Sequence, residues 1–239
     1  MSQHFPIDIS TTGYLIDNLF WLATYLIAVA FTLVLIALFY FLIRYRSRPS
    51  HKAYYTHGTS RQALFVTLGL ALAVFLLIDV NLAYHDHKAW EKIWQPTNKH
   101  NAEVLKIQVM PEQYAWNVRY SGVDGIFNTP DDVVTINELH IPINHPIIVQ
   151  LKSKDVIHSF FLPNMRIKQD AVPGLITSLT FEATKTGEYD IACAEHCGLG
   201  HYRMRGLLTV ESEENFALWL SAKLAEKDSD PLWGWDWRI

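Results

Sequence analysis

The sequence predicts a two-helix transmembrane hairpin followed by an all-β barrel or sandwich. Three observations carry this expectation. Two long uncharged apolar runs stand in the first third of the chain, and the basic residues of that region all lie between them. From His85 onward the pattern changes to short apolar and polar alternations broken by Pro, Gly, Asn and Asp.

The first run, Leu19 to Ile43, reads LFWLATYLIAVAFTLVLIALFYFLI and contains no charged residue. That is the length a helix needs to cross a bilayer core of about 30 Å. The second runs uncharged from Gln62 to Ile78 and extends to Tyr84 once Asp79 is placed near the headgroups. An apolar hairpin inside a soluble core is the alternative, but runs apolar all round at this length are characteristic of membrane spans. Residues 44–61 contain Arg44, Arg46, Arg48, Lys52 and Arg61, whereas residues 1–18 contain no lysine or arginine. The loop is therefore expected in the cytoplasm, with residues 1–18 and the C-terminal part of the chain outside. Without a basic n-region, and with an apolar run too long for a signal-peptide core, the first helix is expected to be retained.

Residues 85–239 form the expected outer domain. Strands are predicted at Val104 to Val109, Trp116 to Tyr120, Val133 to Ile136, Ile147 to Leu151, Ser178 to Glu182, Gly187 to Cys193 and Gly206 to Val210. Many short strands with such turn signals indicate an antiparallel barrel or sandwich. Ser212, followed by Glu213, Glu214 and an apolar series, predicts an N-capped helix. Fifteen of the twenty basic and twenty-one of the twenty-four acidic residues lie in this domain, a balance of -6. An acidic surface favours encounter with a basic soluble partner, although many soluble domains carry as much. The net charge of -4 gives no footprint for nucleic acid.

The chemistry concentrates in one stretch. Cys193 and Cys197 are the only cysteines, and His201 and Met204 follow closely. Thiolate, imidazole and thioether together form the soft set that suits copper. A disulfide between the cysteines would leave His201 and Met204 unexplained, and zinc has no use for the methionine. A mononuclear electron-transfer copper site uses two histidines, one cysteine and a weak axial methionine. One cysteine is thus in surplus and one histidine missing. Two thiolates bridging two copper ions would absorb the surplus, with a carbonyl inside the loop as a second axial ligand. His158, in KDVIHSFFLP, is the best candidate for the missing imidazole, though alone it reads equally well as a core histidine. Sharing one electron over two bridged metals halves the charge change at each, and a loop pinned between strands keeps the ligands still.

The stretches NELHIPINHPIIVQLKSKDVIHSFFLPNMRIKQDAVPG and GEYDIACAEHCGLGHYRM resemble subunit II of the haem-copper cytochrome c oxidases. The resemblance extends over nearly the whole chain and implies a cupredoxin-like Greek-key domain carrying a dinuclear copper A centre. It implies that Cys193 and Cys197 are the bridging thiolates, His158 and His201 the terminal imidazoles, and Met204 and the Glu195 carbonyl the axial ligands. It further implies that the Glu195 side chain shares a magnesium or manganese ion with subunit I. Subunit I, subunit III, membrane lipid and cytochrome c or another periplasmic donor are the partners it implies.

Gln113, Tyr114, Ala115 and Trp116 resemble the aromatic segment through which the family receives electrons. Strand alternation would put Tyr114 and Trp116 on one face, and Tyr114 is the stronger candidate for the docking surface. The loop SGVDGIFNTPDD is longer and more acidic than expected in a mitochondrial form, which favours a bacterial inner membrane; its carboxylates suit a basic donor, calcium or a solvated turn. Aligned on His57, Gln62 and Phe65 stand where the family commonly has the glutamate and tryptophan at the mouth of a proton pathway. Leu175 stands where arginine often follows the Pro-Gly pair. The reading is an electron-transfer subunit of a respiratory terminal oxidase reducing oxygen to water, itself a relay. The alternatives are the corresponding subunit of a copper A nitric oxide reductase and a membrane-anchored copper carrier. No Cys-x-x-Cys-His is present, so covalent haem c is not expected.

Overall fold

In the computed structural model the described residues are 5–49, 52, 54–55, 57–94, 104–122 and 124–229. They divide into two compact units, residues 15–93 and a second unit of residues 1–14 with 94–239.

The first unit is helical. Helix α1 runs Gly13–Arg44, so it starts six residues before the apolar run at Leu19. Ser60 caps the next helix, its hydroxyl accepting from the Ala63 N–H at 3.2 Å. That helix is continuous over Arg61–Trp94: α2 (Arg61–Val74), a π turn at Phe75–Asp79, and α3 (Val80–Trp94). Its 34 residues make about 51 Å of helix, more than a hydrocarbon core of about 30 Å takes up. The boundary read at Tyr84 is therefore a change of side-chain character and not a helix end. The apolar windows of both helices are unburied within the chain. Surface of this extent is stable only against lipid or other helices. Thr24, Thr32 and Thr67 hydroxyls donate to carbonyls one turn back, at 2.7, 2.8 and 2.9 Å, which satisfies them without water.

The second unit is a sandwich of two five-stranded sheets. One has the order β3 (Val133–Ile136), β2 (Ala115–Tyr120), β1 (Leu105–Glu112), β5 (Pro146–Leu151), β8 (Thr177–Glu182). The other has the order β4 (Glu138–Pro142), β10 (Arg205–Glu211), β9 (Gly187–Cys193), β6 (His158–Leu162), β7 (Ile167–Ala171). Pairing is antiparallel except for β1 with β5 and β10 with β4. The seven predicted strands are present, and β4, β6 and β7 are additional. Inward-facing Ile107, Trp116, Tyr120, Ile147, Phe160 and Ile191 fill the space between the sheets. The buried Tyr120 hydroxyl bonds both backbone groups of His140, accepting at 2.7 Å and donating at 3.0 Å. The predicted C-terminal helix is α4 (Glu213–Ser229), capped by the Ser212 hydroxyl. It docks through Trp219, stacked on His140 with ring centroids 4.1 Å apart.

The segment before α1, expected only as an outer N-terminal stretch, is part of this sandwich. Ile9 is fully buried in the β core, its N–H donates to the Asn164 carbonyl at 2.9 Å, and its carbonyl accepts from Thr184 at 2.6 Å. Ile9→Ala should cost about 2 kcal/mol in denaturant titration of the β unit. A change within a few tenths would show that the segment only rests on the surface.

Candidate metal centre

Three connections meet at one end of the sandwich: the β1–β2 turn, the β5–β6 loop and the β9–β10 loop. The β9–β10 register pairs Ala192 with Arg205, so Cys193 and Met204 stand opposite each other at the neck of the last loop. The β6–β9 register pairs Phe160 with Cys193, which carries His158 alongside the start of that loop. Thus a histidine 35 residues upstream is delivered to the cysteines by strand pairing.

The donor atoms converge. Cys193 Sγ lies 3.8 Å from Cys197 Sγ, 4.0 Å from His158 Nδ1 and 3.2 Å from the Glu195 carbonyl oxygen. Cys197 Sγ lies 3.7 Å from His201 Nδ1 and 3.8 Å from Met204 Sδ. Two donors about 2.0–2.3 Å from a shared metal, at tetrahedral or trigonal angles, lie roughly 3.3–4 Å apart, so these spacings suit metal binding. They do not suit a disulfide, whose sulfurs approach to about 2.05 Å; both cysteines are free. His158, Cys197 and Met204 are buried, while Cys193 and His201 are half-buried. All six predicted positions are therefore brought together, with Glu195 contributing its carbonyl and leaving its side chain exposed.

The metal-free thiols differ. Burial raises Cys193, but hydrogen bonds from His158 and from backbone around Ser159 and Glu195 outweigh it and bring the thiol below its ordinary value. Burial and the neighbouring Cys193 raise Cys197. The opposite directions favour the thiolate at Cys193 over Cys197, as expected of interacting groups. Iodoacetamide should label Cys193 first in the reduced metal-free chain, and rapidly at neutral pH, because the thiolate reacts. Peptide mapping that found Cys197 modified first would contradict this assignment.

Two contributors escaped the sequence reading. Asp155 Oδ1 lies 2.8 Å from His158 Nε2, leaving Nδ1 for the cysteine side. Burial opposes ionisation of Asp155, yet bonds with His158 and with the N–H groups of Gln113 and Val156 bring its carboxyl below the ordinary value. A carboxylate on the far nitrogen is the common way of fixing a ligand histidine. Gln113 is the second, its side-chain amide donating to the Cys197 carbonyl at 2.6 Å. An acid three residues before the candidate histidine was the available signal for Asp155; nothing local marked the Gln113 bond.

The aromatic pair is not arranged as alternation predicts. Tyr114 lies in the turn between β1 and β2 and is 38% exposed, whereas Trp116 is fully buried. Trp116 meets Phe160 edge-on at 5.3 Å and His158 at 6.3 Å between ring centroids. Its position is the core behind the site, because the turn breaks the strand periodicity between them. In the acidic loop, Asp132 pairs with Arg119 at 3.5 Å and accepts from the Asn128 N–H, while Asp131 accepts from Thr129 and from the Asp124 N–H. These carboxylates hold the turn itself.

A sequence model described as cytochrome c oxidase subunit II, periplasmic domain, matches residues 105–211. The alternative cytochrome c oxidase subunit 2 of Bradyrhizobium diazoefficiens is 29% identical over 233 residues, covering 87% of this chain and 79% of that protein. Cytochrome c oxidase subunit 2 of Thermostichus vulcanus is 41% identical over 124 residues, covering 52% of this chain and 35% of that protein. Among solved structures, the periplasmic domain of subunit II of cytochrome oxidase from Bradyrhizobium japonicum is similar at 29% identity and a TM-score of 0.46, over 51% of this chain and 94% of that one. Residues 105–211, which span all ten strands of the sandwich and every residue of the donor cluster, thus match the periplasmic domain of cytochrome c oxidase subunit II.

Proposed function

We propose that the chain is the electron-accepting subunit of a membrane-bound terminal oxidase and that its soft-donor cluster holds a dinuclear copper A centre. The observation that carries this reading is the convergence of two thiols, two imidazole nitrogens, a thioether and a carbonyl within contacts of 3.2 to 4.0 Å. Cys193, Cys197, His158, His201, Met204 and the Glu195 carbonyl would hold the centre. Copper bound there supplies a reversible one-electron couple. The protein excludes water from Cys197, Met204 and His158, fixes His158 through Asp155, and anchors both loop ends in the β ladder. Such pre-organisation keeps ligand movement small when charge changes.

Cytochrome c or a similar periplasmic protein is the proposed donor, meeting the exposed Tyr114, and haem in subunit I the acceptor. The Glu195 carboxylate, which is exposed, is the proposed ligand of a magnesium or manganese ion shared with subunit I; subunit III completes the proposed assembly. The spans are assigned to residues 19–43 and 62–84, the basic loop 44–61 to the cytoplasm, and residues 1–18 and 85–239 to the outside of a bacterial inner membrane. That residues 1–18 and 85–239 share one side is supported by Ile9, which is hydrogen-bonded into the same sandwich as the metal site; the basic loop carries the choice of side.

The test is copper loading of the detergent-solubilised chain under reducing conditions, with metal analysis and paramagnetic resonance. Two coppers per chain with one electron spread over both nuclei are expected. One exchangeable Cu(I), or a single-copper spectrum, would sink the relay in favour of a carrier.

A further inference from the structure

Resting on the copper reading above, we infer that Gln113 is a positioning residue that braces both halves of the metal site from the β1–β2 turn. Its side-chain amide donates to the Cys197 carbonyl at 2.6 Å, in a partly buried bond across 84 residues of sequence. Its backbone N–H donates to Asp155 Oδ2 at 2.7 Å, across 42 residues. Asp155 in turn holds His158 Nε2 through its other oxygen at 2.8 Å. One residue therefore restrains the bridging-cysteine loop with its side chain and the distant histidine with its backbone. Neither limb would be fixed by the local chain alone, since both approach from loops joining different strands.

The metal loop is built to receive this turn. A Cβ on Gly198, whose φ is +129°, would lie 2.8 Å from Gln113 Nε2 and 2.7 Å from the Tyr114 hydroxyl. A Cβ on Gly200 would lie 2.4 Å from Tyr114 Cδ2. Real side-chain carbons do not approach so closely, so these two glycines let Gln113 and Tyr114 sit directly on the loop. The exposed ring of Tyr114 is part of the same unit. The turn placed to meet a donor is thus the turn that holds the ligands.

Gln113→Glu in the full-length chain tests the brace, because it keeps the side chain's shape and, when ionised, removes the donor. Copper release to a chelator should accelerate about 10- to 100-fold, the usual effect of losing an outer partner of a metal ligand. The resonance spectrum should show unequal coupling to the two nuclei. Gln113→Ala, which admits water to the carbonyl, should release copper more slowly than Gln113→Glu, and Asp155→Ala should disturb the His158 side. In the metal-free variants, amide hydrogen exchange over residues 194–204 should quicken while β8 and β10 stay protected. A Gln113→Glu chain with wild-type release, spectrum and exchange would overturn the brace. Failure of the unaltered chain to hold two coppers would instead remove the copper reading, and the metal-free exchange would still decide whether Gln113 restrains the loop.

Discussion

Cys197→Ser should convert the proposed dinuclear copper site to a single-copper site and strongly impair electron delivery. Cys197 is the hub of the cluster, in contact with Cys193 at 3.8 Å, His201 Nδ1 at 3.7 Å and Met204 Sδ at 3.8 Å. A serine hydroxyl stays protonated at neutral pH and is a harder donor, so the second bridge is lost. What remains is one thiolate, two imidazoles and a thioether, the donor set of a mononuclear copper site. Metal analysis should fall from two coppers to one per chain, and the spectrum should change to coupling with a single nucleus. Oxidation of the proposed soluble donor by the assembled oxidase should fall by more than the ~10–100-fold that loss of an outer partner costs. Two retained coppers with a shared electron would show that Cys197 does not bridge.

The loop's chemistry was legible because its ligands are crowded into one short stretch, and because counting them exposed a missing histidine. His158 was found through that deficit and not through its surroundings. Asp155 was not found, and Gln113 was named only with the electron-entry segment and not as a partner of the metal loop, since both roles depend on three loops meeting at one end of the sandwich. Strand β7, IKQDA, is a sheet-edge strand with mostly polar, half-exposed residues and lacks the apolar signature. Strand β6, HSFFL, reads as an aromatic cluster, and β4, ELHIP, is short and bounded by Asn137 and Asn144, both at positive φ. The Ile9 segment makes only an isolated bridge at Ser10 and carries no strand period at all. Charge marked where the membrane-suited surface ends, but it did not mark the end of the second helix, because polar residues continue α3 through its backbone bonds.

Trp116 provides the sharpest separation between structural and docking roles. Trp116→Ala should destabilise the β unit by about 3–5 kcal/mol, the range for removing a large aromatic from a close-packed core. The side chain is fully buried against Phe160 and His158, so the vacancy would open behind the metal site. A lower denaturation midpoint and faster copper loss should appear together. Trp116→Phe should be far milder. It keeps an aromatic ring, and the indole Nε1 it removes has no hydrogen-bond partner among the described residues. Tyr114→Ala should show the opposite profile: little loss of β-unit stability, because the ring is 38% exposed at a turn, but a KM for the soluble donor raised about tenfold, equivalent to ~1.4 kcal/mol of docking energy. Steady-state kinetics of the assembled oxidase, combined with denaturation of each variant, resolves the two roles. A raised KM for Trp116→Phe at unchanged stability would move the docking surface inward to Trp116 and contradict its assignment to the core.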